Sequence, residues 1–170
     1  MFYSQLNNTS AHPSIPPFKL ITFRLLVFSL LFLWTIGILY PLLFNQLNNV
    51  LLQFVFKNLY STVCHQQSEK SISFGNHQLM VCARCAGIYF GAMITAFAFF
   101  FSKRNQLNKK VLLISLAVVL VDVLLVFIGS YDYSKAFSLA TGLIFGSTVY
   151  IYLMNELEQF LFNSKIYRTE

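Results

Sequence analysis

Charge is what this sequence has least of. Only 11% of its 170 residues are Asp, Glu, Lys or Arg, and six are acidic, while 56% are hydrophobic. A soluble domain carries about a quarter charged residues, so this chain cannot cover a water-facing surface with polar groups. Cysteine is also scarce. Three cysteines are too few for a disulfide framework, and an odd number leaves one over if two pair. Proline occurs four times, three of them within residues 13–17, so the long apolar runs are interrupted only at Pro41. What is abundant is apolar bulk, including 19 phenylalanines. These quantities describe one all-α domain embedded in a lipid bilayer.

The net charge of +6 does not point to nucleic acid. The basic residues lie between and beside apolar runs, form no continuous stripe, and accompany no nucleic-acid, nucleotide or phosphate motif. They read as topology signals.

Residues 1–19 are polar and turn-rich and form an N-terminal tail. A single membrane domain follows over 20–155, with spans at about 20–44, 84–101, 111–129 and 136–154, and a polar C-terminal tail of mixed charge, with room for one or two further helical turns, occupies 156–170. The charge-free part of the first span, residues 25–44, is long enough to cross a ~30 Å hydrocarbon core at ~1.5 Å per residue. It is longer than a signal-peptide core and has no small-residue cleavage site. Residues 46–63 differ. Gln46, Asn49, Gln53, Lys57 and Ser61 share one helical stripe, and Val50, Leu51, Phe54, Val55, Leu59 and Val63 share the other. That pattern suits an amphipathic helix in the interface, or one packed over the end of the bundle.

Residues 102–110 carry four basic side chains, whereas residues 130–135 carry one, balanced by an aspartate. The bias predicts an inner or plasma membrane protein with both termini cytoplasmic and the Cys-rich loop, residues 64–85, outside. Lys57, Lys70 and Arg84 run against it.

That loop holds every cysteine. Gly75-Asn76 between two short apolar–polar runs predicts a β-hairpin with a type II′ turn, pairing Phe74 with His77, Ile72 with Leu79 and Lys70 with Val81. The hairpin would bring Cys64 and His65 beside the Cys82–Cys85 turn. Three chemistries fit. A metal site would use Cys64, Cys82 and Cys85 with either His65 or His77, the tetrahedral set that Zn2+ takes. A thiol–disulfide oxidoreductase would use Cys82 and Cys85, activated by a helix N-terminus and Arg84, with Cys64 resolving. A disulfide to Cys64 that merely staples the loop would suit a scaffold acting through contacts with another membrane protein. Haem attachment is disfavoured, because Ala86 follows Cys85 where a histidine is needed.

Asp122 is the one acid inside a predicted span. It sits about 12 Å below the outer end of its helix at ~1.5 Å per residue, where a charge is costly unless paired. Arg84 could snorkel inward to meet it, or a neutral Asp122 could bond Tyr89 or Thr141. Asp122 and Arg84 are therefore the catalytic candidates, with a purely structural pairing as the alternative. Gly87-x-x-x-Gly91 and Gly142-x-x-x-Gly146 predict close helix approach, within the bundle or across a homo-oligomer, or space for a lipid or quinone.

Cys64-His65-Gln66, Lys70-Ser71, Gly75, the run Val81-Cys82-Ala83-Arg84-Cys85, and Gly87-Ile88-Tyr89 with Gly91 together resemble a family of small prokaryotic membrane proteins classed as a domain of unknown function. The likeness continues through Asp122, Thr141-Gly142 and Gly146, covering roughly residues 60–150. Lys70 stands where an arginine is expected. Ser138 stands where an arginine often precedes Thr-Gly, which would deprive Asp122 of one cationic partner. The resemblance implies where the site lies and no particular activity.

Overall fold

The structure, a computed structural model, describes residues 17–43, 50–74, 77–101, 108–129 and 132–163. Among these, the helices are α1 (Pro17–Leu43), α2 (Val50–Ser61), α3 (Ala83–Phe101), α4 (Lys109–Ile128) and α5 (Lys135–Asn163). A two-stranded antiparallel hairpin of β1 (Ser71–Phe74) and β2 (His77–Cys82) precedes α3. All four long helices are apolar enough to cross a membrane. The expected all-α polytopic architecture with a small hairpin is what the chain adopts.

The bundle is inverted relative to a soluble one. Leu25, Leu30, Leu33, Leu113, Leu124 and Phe127 point outward, while Thr35, Ser115, Asp122, Ser138 and Thr141 are buried. Lipid tails solvate the first group as well as a core would, so close packing and polar pairing must hold the helices together. The tightest contact is α3 against α5, with α1 laid on α3 and α4 on α5. Glycine makes the central contact possible. A Cβ at Gly87 or Gly91 would come within 3.0 Å of the Leu139 or Leu143 carbonyl, and one at Gly146 within 3.0 Å of the Ile88 carbonyl. Both glycine pairs are thus spent inside the chain. Ser147 Oγ adds a hydrogen bond to Gly91 O at 3.2 Å.

Local sequence sets the helix ends. Asn108 caps α4 by accepting from the Lys110 N–H at 3.1 Å. Gly129, at φ 74°, closes it in the left-handed conformation that glycine adopts without steric cost. At the far end, α5 continues through Glu156 and Glu158 to Asn163, into the stretch read from sequence as a tail. Glu158 explains the extension. It is only 3% exposed and takes two hydrogen bonds from Arg24 of α1, from Nε at 2.8 Å and Nη2 at 3.2 Å.

Helix α2 lies across the loop end of α1. Phe56 and Tyr60 turn inward, and the Tyr60 hydroxyl donates to Trp34 O at 2.8 Å. Leu51, Val55 and Leu59 remain exposed on the opposite side. The helix is therefore packed on the bundle and apolar outward, which joins the two alternatives read from its periodicity. Gln46 and Asn49, part of its expected polar stripe, lie outside the described residues, as do the Gly75-Asn76 turn, the tail residues 1–16 and 164–170, and most of the basic connection at 102–107.

Candidate metal centre

Three separate segments deliver the three cysteines. Cys64 closes the last turn beyond α2, with its N–H donating to Tyr60 O at 3.0 Å. Gln66 then takes φ 49°, the left-handed region that non-glycine residues visit rarely, and its side-chain amide donates to Lys57 O at 2.9 Å. This turn sends the chain away from α2 immediately after Cys64, through a 3-10 turn at Ser68–Lys70 into β1. Cys82 ends β2 and Cys85 lies in the first turn of α3.

The hairpin joins these segments with one departure from the expected register. Phe74 pairs with His77 as expected, and Ser73 with Gln78. An irregularity then shifts the ladder so that Ser71 faces Cys82, replacing the simple Ile72–Leu79 and Lys70–Val81 pairing. Ser71 anchors the shifted end, fully buried, with its hydroxyl donating to Val81 O at 3.0 Å. The shift carries Cys82 to the base of the hairpin, where its N–H donates to Cys64 Sγ at 3.2 Å.

The result is a triangle of free thiols whose sulfurs all lie within 4.8 Å of one another. Cys64 is buried in a cluster with Ile38, Tyr60, Leu79, Val81 and Ala86, while Cys82 and Cys85 are half-buried at its edge. Neither histidine belongs to the triangle. His65 is exposed beside Cys64. His77 sits at the turn end of β2, five residues or roughly 17 Å of extended strand from Cys82. Cys82 is electronically distinct. A hydrogen bond from the Cys85 thiol, aided by Cys64 and the Arg84 N–H against an opposing desolvation cost, lowers its pKa to about 5.

Arg84, between the two helix-proximal cysteines, turns its side chain into the bundle. Its Nε donates to Asp122 Oδ2 at 3.0 Å and its Nη2 makes a second, shorter contact with the same oxygen. Ser138 Oγ also donates to Asp122 Oδ2, at 3.3 Å, and accepts from Arg84 Nη2 at 3.4 Å. Asp122 thus meets Arg84, as read from sequence, and Ser138 as well. The serine standing at the expected arginine position serves the carboxylate as a hydroxyl donor.

Sequence reasoning passed over Tyr133 and Trp34. Tyr133 sits over the Lys70 ammonium, 5.8 Å from its ring centroid, and its hydroxyl donates to Lys70 O at 3.4 Å, tying the loop before α5 to the hairpin. Burial raises its pKa, so its hydroxyl stays protonated as a donor. The same cause pushes Tyr60 up to about 12. The available signal was the Tyr131-Asp132-Tyr133 run inside the short 130–135 connection.

The resemblance read from the signature residues holds. The family model described as "Predicted membrane protein (DUF2085)" matches residues 64–152. An uncharacterised protein of Methanocaldococcus jannaschii is 34% identical over 100 residues, 56% of this chain and 64% of the relative. Another, from Methanothermobacter thermautotrophicus, is 36% identical over 58 residues, 34% of this chain and 51% of the relative. The chain therefore spans less than two thirds of the length of these relatives. No solved structure matches it.

Proposed function

This chain belongs to the DUF2085 family of predicted membrane proteins, and we propose that it carries a zinc ion on Cys64, Cys82 and Cys85 at the mouth of the bundle. The observation that carries this reading is the convergence of three free thiols from three segments within 4.8 Å. Tetrahedral Zn–S bonds of ~2.3 Å separate sulfurs by roughly 3.8 Å, a spacing that small side-chain rotations reach from this triangle. The low pKa of Cys82 supplies one ligand as a ready thiolate at neutral pH.

The fourth position falls to His65, by rotation of its exposed ring, or to water. A histidine closes the site and makes it structural, pinning the hairpin and α2 to α3. Water leaves it open, which is the arrangement of hydrolytic zinc. The basic residues at 102–110 support placing this mouth on the extracytoplasmic side of the plasma membrane, with both termini cytoplasmic.

Elemental analysis of detergent-purified protein tests the proposal. About one zinc per chain in wild type and little in Cys82→Ser is expected. Wild-type protein that stays zinc-free after purification in zinc-supplemented buffer overturns it. His65→Ala separates the closed from the open site by whether affinity falls.

One observation favours a second reading. Cys82 is a stabilised thiolate receiving a hydrogen bond from Cys85 at the start of a helix, the arrangement of a redox dithiol. In that case zinc is absent and the pair exchanges with glutathione buffers at a defined potential.

A further inference from the structure

The last turn of α2 is built as a helix end cut off from water must be. Terminal carbonyls of a helix lack partners within it, and on a wet surface water serves them. Here Lys57 O accepts from the Gln66 side-chain amide at 2.9 Å, Asn58 O from Ser61 Oγ at 2.7 Å, and Leu59 O from Thr62 Oγ1 at 2.7 Å. Tyr60 O accepts from the N–H groups of Val63 and Cys64, at 3.2 and 3.0 Å. Four carbonyls in a row are thus paired inside the chain, which hydrocarbon requires and water does not. Protein does not cover this turn, however. At 100° per residue, Phe56 and Tyr60 face the bundle, while Val55, Leu59 and Val63 form one exposed flank and Gln53, Lys57 and Ser61 the other.

The helix also slopes down α1. Phe56 packs on Tyr40 and Tyr60 on Trp34, with ring centroids 5.0 Å apart in both pairs, so α2 descends as α1 is followed backward. Gly37, between those levels, leaves room for the Tyr60 hydroxyl on its way to Trp34 O. Trp34 lies about 15 Å along α1 from Arg24, whose pair with Glu158 marks the end of the span opposite the hairpin. That is half of a ~30 Å core. Cys64 then packs beside Ile38, about 21 Å from Arg24 and so roughly 9 Å inside the hairpin-end face. A second ruler agrees. Helix α4 is just long enough to fill the core, and Asp122, which binds Arg84 between the other two thiols, lies about 9 Å below its end.

From these observations we infer that α2 is a re-entrant arm whose exposed apolar flank is buried among phospholipid acyl chains of the hairpin-end leaflet. Lys57 snorkels from this depth to the headgroups. The flank continues a lipid-facing surface already present on α1, where Leu33, next to Trp34, is exposed. A helix lying flat in the interface would hold Tyr60 too far out to reach Trp34 O. The turn after the arm returns the chain, with Gln66 level with Lys57, and leaves Cys64 within the leaflet. No metal enters the argument, so the inference stands apart from the zinc reading.

Photolabelling of the wild-type, full-length protein in phosphatidylcholine vesicles tests this. One vesicle set contains a phosphatidylcholine with a diazirine at mid-chain, the other a phosphatidylcholine with the diazirine close to the ester carbonyl, and adducts are mapped by mass spectrometry. Leu30 and Leu33 of α1 are the internal standard for lipid contact. The mid-chain label is expected on Leu59 and Val63 at a yield comparable to Leu33, fading toward Leu51, which the shallow label marks instead. Leu59→Asp should cut mid-chain adducts at Val63 by roughly tenfold or more, because an acid is penalised in hydrocarbon. Gln53→Asp, the same charge on the polar flank, should leave the pattern unchanged. Adducts on α1 with none on residues 51–63 would mean that water or another protein covers the flank. Equal mid-chain yield at Leu51 and Val63 would mean that α2 lies flat. Either result overturns the inference, as does an equal effect of the two substitutions. Should Leu59→Asp fail to fold, the wild-type gradient decides alone.

Discussion

Arg84 and Asp122 should behave as one energetic unit, and a double-mutant cycle measures it. The Asp122 side chain is 1% exposed and that of Arg84 19%. Removing one member of a buried pair strands the other and costs about 3–5 kcal/mol in soluble proteins. The exposures make the two losses unequal. In Asp122→Leu the arginine keeps a path toward the loop end and can snorkel out, so about 2 kcal/mol is expected. In Arg84→Leu the carboxylate has no such path and retains only Ser138 among the partners described above, so about 4 kcal/mol is expected. The double variant replaces the pair with apolar volume and should return to within about 2 kcal/mol of wild type. The coupling is then about 4 kcal/mol, from equilibrium unfolding in mixed micelles with denaturing detergent. An ordinary interhelical hydrogen bond in a membrane protein couples by only about 0.6 kcal/mol. A measured coupling of that size, or additive single losses, would refute the pair as the unit that holds α4 to α3.

The glycine contacts predict that Gly91→Ala and Gly146→Ala each destabilise by about 1–3 kcal/mol despite better helix propensity, because the new methyl meets backbone carbonyls that cannot rotate away; thermal unfolding in detergent reads this, and an unchanged midpoint would refute the close approach. Because the pKa of Cys82 is lowered to about 5, its thiolate contribution to stability is present above the unfolded thiol value near ~8.5 and is lost as pH falls through about 5. Alkylation of metal-free protein should accordingly persist at about pH 6, where ordinary thiols are silent, and Cys85→Ala should move the profile upward; a wild-type profile centred near ~8.5 would refute the hydrogen bond from Cys85.

Much of this was written in local sequence. Hydrophobic run length fixes the four spans, and Gly-x-x-x-Gly spacing marks the α3–α5 seam because close packing there demands an absent side chain. Arg84 and Asp122 were legible as partners, since each is a charge that the bilayer penalises and both lie toward the same end of the bundle. The Arg24–Glu158 pair was not. Glu158 lies beyond the apolar run, in sequence that reads as a polar tail, and only the helical continuation of α5 past Met154 carries it back over α1. The ladder shift between Ser71 and Ser73 was equally hidden, because the hairpin pattern alone favours the regular register. It depends on Ser71 finding Val81 O in the packed structure. His77, a ligand candidate from sequence, stands at the far end of β2 from Cys82 and outside the thiol triangle.

The two ion pairs share a geometry that bears on the thiol site. The close backbone contacts run α1–α3–α5–α4, a row with free edges. Arg24 reaches from α1 across to α5, and Arg84 reaches from α3 across to α4. Each thus ties helices that are not neighbours in the row, at opposite ends, and bends it into a bundle. Arg84 is also the residue between Cys82 and Cys85, so the first turn of α3 answers to both the thiols and the carboxylate. If the two are coupled through that turn, the bias is reciprocal. Asp122→Asn should lower zinc affinity about tenfold although every sulfur is retained, the scale seen when a ligand's supporting shell is removed. Zinc should correspondingly stabilise wild type more than Asp122→Asn against unfolding. Competition with a chromophoric chelator measures the first quantity and a melting comparison the second. Equal zinc affinity in the two proteins would mean that the loop sets the thiol triangle alone, with the Arg84 side chain serving only the helices.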